Sequence, residues 1–298
     1  MTVLLHFDDE AALAARLAAA AGLRANAIER HRFPDGELKL RLPLVGGALP
    51  ARVVLLRSLF DPNEKLVELL LAARTARTLG ARELVLVAPY LAYMRQDMAF
   101  TDGEAVSQRI VGGFLASLFD AVITVDPHLH RVHSLAEAVS LPAARAVALS
   151  AAPLLADLVA AQRPGAWLVG PDEESAQWVA QAAARHGLRA SVCRKERRGD
   201  RAVHIALPDG VDFAGAPVVL IDDVASTGRT LVEAARALRA AGAASVDAAV
   251  THALFVGEAL AQLREAGVGQ IWSSDSIAHE TNAVPLAPLL AQALAALP

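Results

Sequence analysis

The stretch Val218-Val219-Leu220-Ile221-Asp222-Asp223-Val224-Ala225-Ser226-Thr227-Gly228-Arg229-Thr230-Leu231 decides the fold of this chain, because it joins an apolar run to an amphipathic one through an acidic pair and a small hydroxyl loop. Four aliphatic residues, Val218 to Ile221, suit a strand buried on both faces, and Leu231, Ala234, Ala235 and Leu238 recur at helical spacing. The loop between them is therefore expected at the carboxyl end of a strand. There the free N–H groups of the helix's first turn and the positive end of its dipole favour a phosphate, and Ser226, Thr227 and Thr230 add hydroxyl donors. Asp222 and Asp223 are acceptors only, so they suit the hydroxyls of a ribose, or a metal ion, and not the phosphate itself. A turn that merely capped a helix would need one of these residues.

Outward from this stretch, apolar runs alternate with helical patterns. Strands are expected near 3–7, 27–33, 37–42, 53–56, 84–88 and 121–125, with helices near 10–21, 63–79 and 104–118. The second half repeats the rhythm, with helices near 153–161, 173–186, 229–241 and 258–265 and strands near 167–170, 189–193, 202–206, 218–221, 245–251 and 270–272. Such alternation predicts an α/β fold of two doubly wound, mostly parallel sheets that gather ligands at their strands' carboxyl ends. A short Pro/Ala segment at 141–149 marks the boundary, giving domains over 1–145 and 146–285. The last helix, near 286–298, is apolar enough to need a partner surface.

At 298 residues, each domain can bury a substantial core. The hydrophobic fraction is 54% and the mean hydropathy +0.37, yet polar residues interrupt every apolar stretch before a bilayer-spanning length, so no membrane association is expected. The N-terminus reaches Asp8-Asp9-Glu10 at once, without the basic region and apolar run of a signal peptide, and a cytoplasmic location is expected. One cysteine, Cys193, excludes an internal disulfide and fits a reducing compartment. A net charge of −4 and few, scattered aromatics argue against nucleic acid as a partner.

The 218–231 stretch resembles the loop that binds 5-phosphoribosyl 1-diphosphate (PRPP), an acidic pair followed by Ser/Thr-Thr-Gly-x-Thr, in type I phosphoribosyltransferases and PRPP synthetases (ribose-phosphate diphosphokinases). By that resemblance Asp222 and Asp223 orient ribose hydroxyls, while Ser226, Thr227, Gly228 and Thr230 cradle the 5-phosphate of ribose 5-phosphate. Further segments resemble the synthetases in order along the chain. Arg32-Phe33-Pro34-Asp35-Gly36-Glu37, in isolation a Pro-Asp-Gly turn, is similar to their adenine-binding segment, which serves ATP held by a neighbouring subunit. Phe33 would then stack on the base, and Asp35 and Glu37 would accept from its amine, which implies a homodimer or higher homo-oligomer. Tyr93-Met94-Arg95-Gln96-Asp97 is similar to their Tyr-x-Arg-Gln-Asp signature, in which Arg95 and Gln96 would touch ATP.

Asp126-Pro127-His128 matches an Asp-x-His element and Gly170-Pro171-Asp172 a Ser-Pro-Asp element, which implies that His128 and Asp172 hold the magnesium ion of MgATP. His130 and His133 receive no role. Arg194-Lys195-Glu196-Arg197-Arg198, ordinarily a charged hairpin, resembles the mobile catalytic Lys-x-Arg segment, so Lys195 and Arg197 would close on the transferring diphosphoryl group.

Two departures stand out. Glu173-Glu174 replaces a common Gly-Gly, and Met98 and Ala99 replace basic residues. The second, with Ser226-Thr227-Gly228, Gly103-Glu104 and the run Val250 to Phe255, resembles archaeal-type (class III) synthetases and implies weak or absent regulation by ADP and phosphate. Alternatives are a phosphoribosyltransferase, opposed by the ATP-like segments, and a regulatory subunit without turnover, opposed by the intact Lys195, Arg197, His128 and acidic pair.

Overall fold

The computed structural model describes residues 2–44, 46–129, 131–198 and 202–298. The chain divides into two compact units, Met1–Leu149 with Leu286–Pro298, and Ser150–Pro285. The first runs β1 (Thr2–His6), α1 (Ala11–Ala21), β2 (Arg24–Ala27), β3 (Glu29–Arg32), β4 (Leu38–Arg41), β5 (Arg52–Leu56), α2 (Pro62–Thr78), β6 (Glu83–Ala88), α3 (Ser107–Leu118), β7 (Ala121–Val125), α4 (Leu135–Val139) and β8 (Ala146–Leu149). The second runs α5 (Ala152–Gln162), β9 (Trp167–Gly170), α6 (Ala176–Ala184), β10 (Arg189–Val192), β11 (Arg194–Arg198), β12 (Ala202–Ala206), β13 (Pro217–Ala225), α7 (Arg229–Ala240), β14 (Ser245–Ala253), α8 (Ala259–Glu265), β15 (Val268–Ser274) and β16 (Asn282–Val284). The final helix, α9 (Ala287–Ala296), packs on α1, β7 and β8 of the first unit.

Each unit holds one parallel sheet, ordered β2-β1-β5-β6-β7-β8 in the first and β10-β9-β13-β14-β15-β16 in the second. Both are the expected doubly wound α/β architecture. The central strands are apolar runs because both faces are covered. On β13, Val218 and Leu220 enter one core with α7 and α8, while Val219 and Ile221 enter another with α5 and α6, the two-residue alternation of a pleated strand. In both sheets the chain leaves one central strand in opposite directions, so a crevice opens at the carboxyl ends of β1 and β5, and of β9 and β13.

Several boundaries differ from expectation. The apolar-to-acidic strand does not stop at Ile221: Asp222 pairs with Val250 and Val224 with His252, so the acidic pair rides on the end of β13. The helix expected from Glu104 starts at Ser107, and Glu104 instead accepts a hydrogen bond from the Phe100 N–H at 2.7 Å. Residues 27–33 split between β2, in the main sheet, and β3, which pairs with β4 in a separate antiparallel ribbon. Glu173–Ser175 form a 3₁₀ turn ahead of α6.

Candidate active site

The second unit's crevice collects the acidic pair, Asp172 and the phosphate-type loop. Asp172 follows β9 and caps the 3₁₀ turn, accepting from the Glu174 N–H at 3.2 Å. Its carboxyl is pushed up by burial and by Glu174 and Asp223, while the nearby Lys195 ammonium opposes the rise. Asp222 is held well above the usual carboxylate range by burial and by the charges of Asp223 and Asp172. Three carboxylates thus crowd one place, with Lys195 the cation that acts on Asp172 among the described residues, an arrangement in which a bound cation or donor hydroxyls would stabilise the charged forms. Cys193 is buried behind Asp172 and its thiol is pushed up to about 12, mainly by burial, so it is no nucleophile at neutral pH.

The loop after Ala225 has the geometry of an anion cradle. Gly228 stands at the N-cap of α7 with φ 70°, a left-handed conformation that favours glycine, and launches a helix with no side-chain cap, whose first-turn N–H groups have no carbonyl within the helix to bond. Ser226, Thr227 and Thr230 flank it with solvent-accessible side chains. Its backbone carbonyls are engaged elsewhere: the N–H groups of Leu254 and Phe255 donate to Ala225 O at 3.1 and 2.9 Å, and that of Val256 to Ser226 O at 3.0 Å. Behind it lies a buried network that sequence reasoning missed, since its bonded partners stand more than twenty residues apart. His252 Nδ1 lies 2.9 Å from Ser276 Oγ, and the Ser276 and Ser274 hydroxyls both donate to Thr251 O, at 2.9 and 2.6 Å.

Lys195 lies on β11, opposite Ile205 of β12, so the basic run forms the antiparallel ribbon that its composition predicts. Lys195 is exposed. The expectation for the Arg197 side chain, and the ribbon tip at residues 199–201, lie outside the described residues.

In the first unit, Phe33, Asp35 and Glu37 form an exposed turn closed by Gly36 N–H to Phe33 O at 2.9 Å and by Glu37 N–H to Asp35 Oδ1 at 3.2 Å. They share no hydrogen bond or ion pair with Arg95 or Gln96 among the described residues. Arg95 is exposed and lacks an ion-pair partner among the described residues, while Gln96 Nε2 donates to Met98 O at 3.0 Å. His128 follows β7, after Asp126, whose φ of 36° is strained for a non-glycine residue. His130 lies outside the described residues.

The β1/β5 crevice of this unit is filled differently. Arg57, 1% exposed, binds Asp9 at 2.7 and 2.8 Å and pairs with fully buried Glu68, which also takes Arg30, while Lys65 donates to Ser58 O at 2.7 Å. Burial raises Glu10 to about 7 and lowers Lys65 to about 8. A cleft of about 370 Å³ opens beside this network, with four cationic and four acidic residues around it. Their formal charges sum to zero.

Magnesium suits the second unit's donors, because it takes one or two carboxylates and leaves its remaining positions to water and phosphate oxygens. Among the described residues no group of three His, Cys, Asp or Glu side chains is arranged around a metal position, and no helix is long and apolar enough to cross a membrane.

Residues 2–118 match the model of the N-terminal domain of ribose phosphate pyrophosphokinase, and residues 141–265 that of the phosphoribosyl transferase domain. A ribose-phosphate pyrophosphokinase of Methanopyrus kandleri is 36% identical, covering 98% of both chains, and ribose-phosphate pyrophosphokinase 2 of Archaeoglobus fulgidus is 34% identical over 94% of this chain and 95% of its own. The crystal structure of phosphoribosylpyrophosphate synthetase from Mycobacterium smegmatis superposes with a TM-score of 0.81 at 22% identity, covering 99% of this chain and 98% of that one, and so shares its fold. With full-length archaeal relatives at this identity and both family models in sequence along it, the chain belongs to the ribose-phosphate pyrophosphokinase family.

Proposed function

We propose that this protein transfers the β,γ-diphosphoryl group of MgATP to the 1-hydroxyl of ribose 5-phosphate, forming PRPP and releasing AMP. The observation that carries the reading is the β9/β13 crevice, where Asp172, Asp222 and Asp223 face a glycine-capped helix start bearing three hydroxyl side chains. The 5-phosphate is placed on the first turn of α7, between Ser226, Thr227, Gly228 and Thr230. Asp222 and Asp223 accept from the ribose hydroxyls and hold the 1-hydroxyl for in-line attack on the β-phosphorus. The Pβ–O bond to AMP breaks as the new one forms, without a covalent enzyme intermediate, so positioning and charge neutralisation supply the rate. Lys195, with Arg197, meets the charge of the transferring group.

Asp172 and His128 are assigned to hold Mg²⁺, which would screen the polyphosphate charge. Arg95 and Gln96 are assigned to the nucleotide, and the exposed Phe33–Glu37 turn to adenine held by a neighbouring subunit, which makes the working form a homo-oligomer. The exposure of that turn supports the last assignment.

The test is incubation of purified protein with ribose 5-phosphate and MgATP. PRPP and AMP should accumulate in equal amounts, with hyperbolic kinetics, no requirement for inorganic phosphate and no sigmoidal response to ADP. Absence of both products across several divalent metals and phosphate levels would reject the activity. A sigmoidal ADP response with phosphate activation would reject only the regulatory part.

A further inference from the structure

Two loops of the first unit carry the residues assigned above to the nucleotide: 89–106, with Arg95 and Gln96, and 126–134, with His128. The first is anchored to α3, where the Gln108 side chain donates to Met94 O at 3.0 Å and its N–H to Gln96 O at 3.1 Å. Both loops adopt conformations unfavourable in isolation, since Tyr93 has φ 64° and Asp126 φ 36°. Non-glycine residues hold such angles only where surrounding contacts impose them. Among the described residues a charged link runs between the loops. The side chain of Asp97, fully buried, accepts from the Arg131 N–H at 3.1 Å and from Arg131 Nη1 at 2.9 Å. Arg131 itself is more than half exposed and lies 5.6 Å from the ring centre of Phe100. Burial alone would raise the Asp97 carboxyl, but the hydrogen bonds and charge of Arg131 outweigh it and hold the group below the usual range. A buried carboxylate spanning 34 residues of sequence to one exposed arginine costs desolvation that a surface pair would avoid.

We propose that Asp97 is a positioning residue for the nucleotide: it locks the loop of His128 against the loop of Arg95 and Gln96 through Arg131, without touching ATP. The proposal rests on the nucleotide assignment made above. A clamp of this kind acts on nucleotide affinity and leaves the sugar-phosphate site in the other unit unchanged.

The experiment compares Asp97→Asn, Arg131→Met, Arg131→Lys and the Asp97→Asn/Arg131→Met pair in the full chain, measuring kcat, KM for each substrate and Tm. KM for MgATP should rise at least tenfold in each of the two principal single variants, with KM for ribose 5-phosphate within twofold of the parent. The double variant should be no worse than the worse single one, and Arg131→Lys should recover part of the loss. Equal rises in both KM values, multiplying effects in the double variant, or an unchanged KM for MgATP would overturn the clamp. Should Asp97→Asn fail to fold, the surface change Arg131→Met decides the matter alone. Arg95→Ala and His128→Ala run in parallel. If they raise KM for MgATP and the clamp variants do not, only the clamp fails; if they leave it unchanged, the nucleotide assignment falls and the clamp with it.

Discussion

At Asp222, burial and the charges of Asp223 and Asp172 all oppose ionisation, so its folded pKa lies above its unfolded value near 4. Between those two values the unfolded chain holds fewer protons than the folded one, and stability falls as pH rises through the window. Asp222→Asn removes that liability. It should leave Tm unchanged near pH 4 and raise it at neutral pH by a few degrees, about 1 kcal/mol, while lowering turnover about 10²-fold or more. Melting curves at both pH values with an AMP-release assay check this, and a lowered Tm at neutral pH would contradict the electrostatic account. The acidic pair and hydroxyl loop were legible in the sequence because their chemistry is contiguous. Asp97 with Arg131, and Arg57 with Asp9, were not, since their partners stand 34 and 48 residues apart and only the fold joins them. Asp126 escaped for another reason: its residue type was visible, but its left-handed backbone was not.

Among the elements, the central apolar strands were read correctly because burial on both faces leaves an uninterrupted aliphatic run. The errors cluster where an element carries charge or is short. β13 continues past Ile221 through two aspartates, which no propensity favours, because β14 supplies partners for Asp222, Val224 and Ala225. β8 and α4, missing from the sequence reading, are held by packing on β7 and α3. The α3–α4 contact gives a paired test. A Cβ at Gly112 would lie 1.9 Å from Ala138 O, whereas one at Gly113 meets nothing within 4 Å. Gly112→Ala should therefore destabilise the first unit by roughly 3 kcal/mol or more, and Gly113→Ala should stabilise it by about 0.5–1 kcal/mol through helix propensity. Chemical denaturation of both variants measures the difference, and shifts of the same sign would refute the close approach.

For the whole molecule, the chain returns at its end to the unit where it began. α9 buries Ala287, Leu290, Ala291, Ala293 and Leu294, worth about 5 kcal/mol at ordinary transfer values, comparable to the whole stability of a small domain. A chain ending at Pro285 should lose hydrogen-exchange protection in β1 and β5–β8, while β9 and β13–β15 keep theirs. Intact protection over 2–149 would show that α9 is dispensable.

The two sheets share one crossover pattern, yet they treat its rim in opposite ways. In the first, guanidinium groups of the same chain already answer the carboxylates, so Arg57 and Glu68 complete each other with no guest. In the second, burial and mutual repulsion hold Asp222 and Asp172 above the usual carboxylate range. A topology that invites a ligand is thus only half of an invitation, and in this protein the other half is a crowding of like charge, which the first sheet has relieved with its own guanidinium groups.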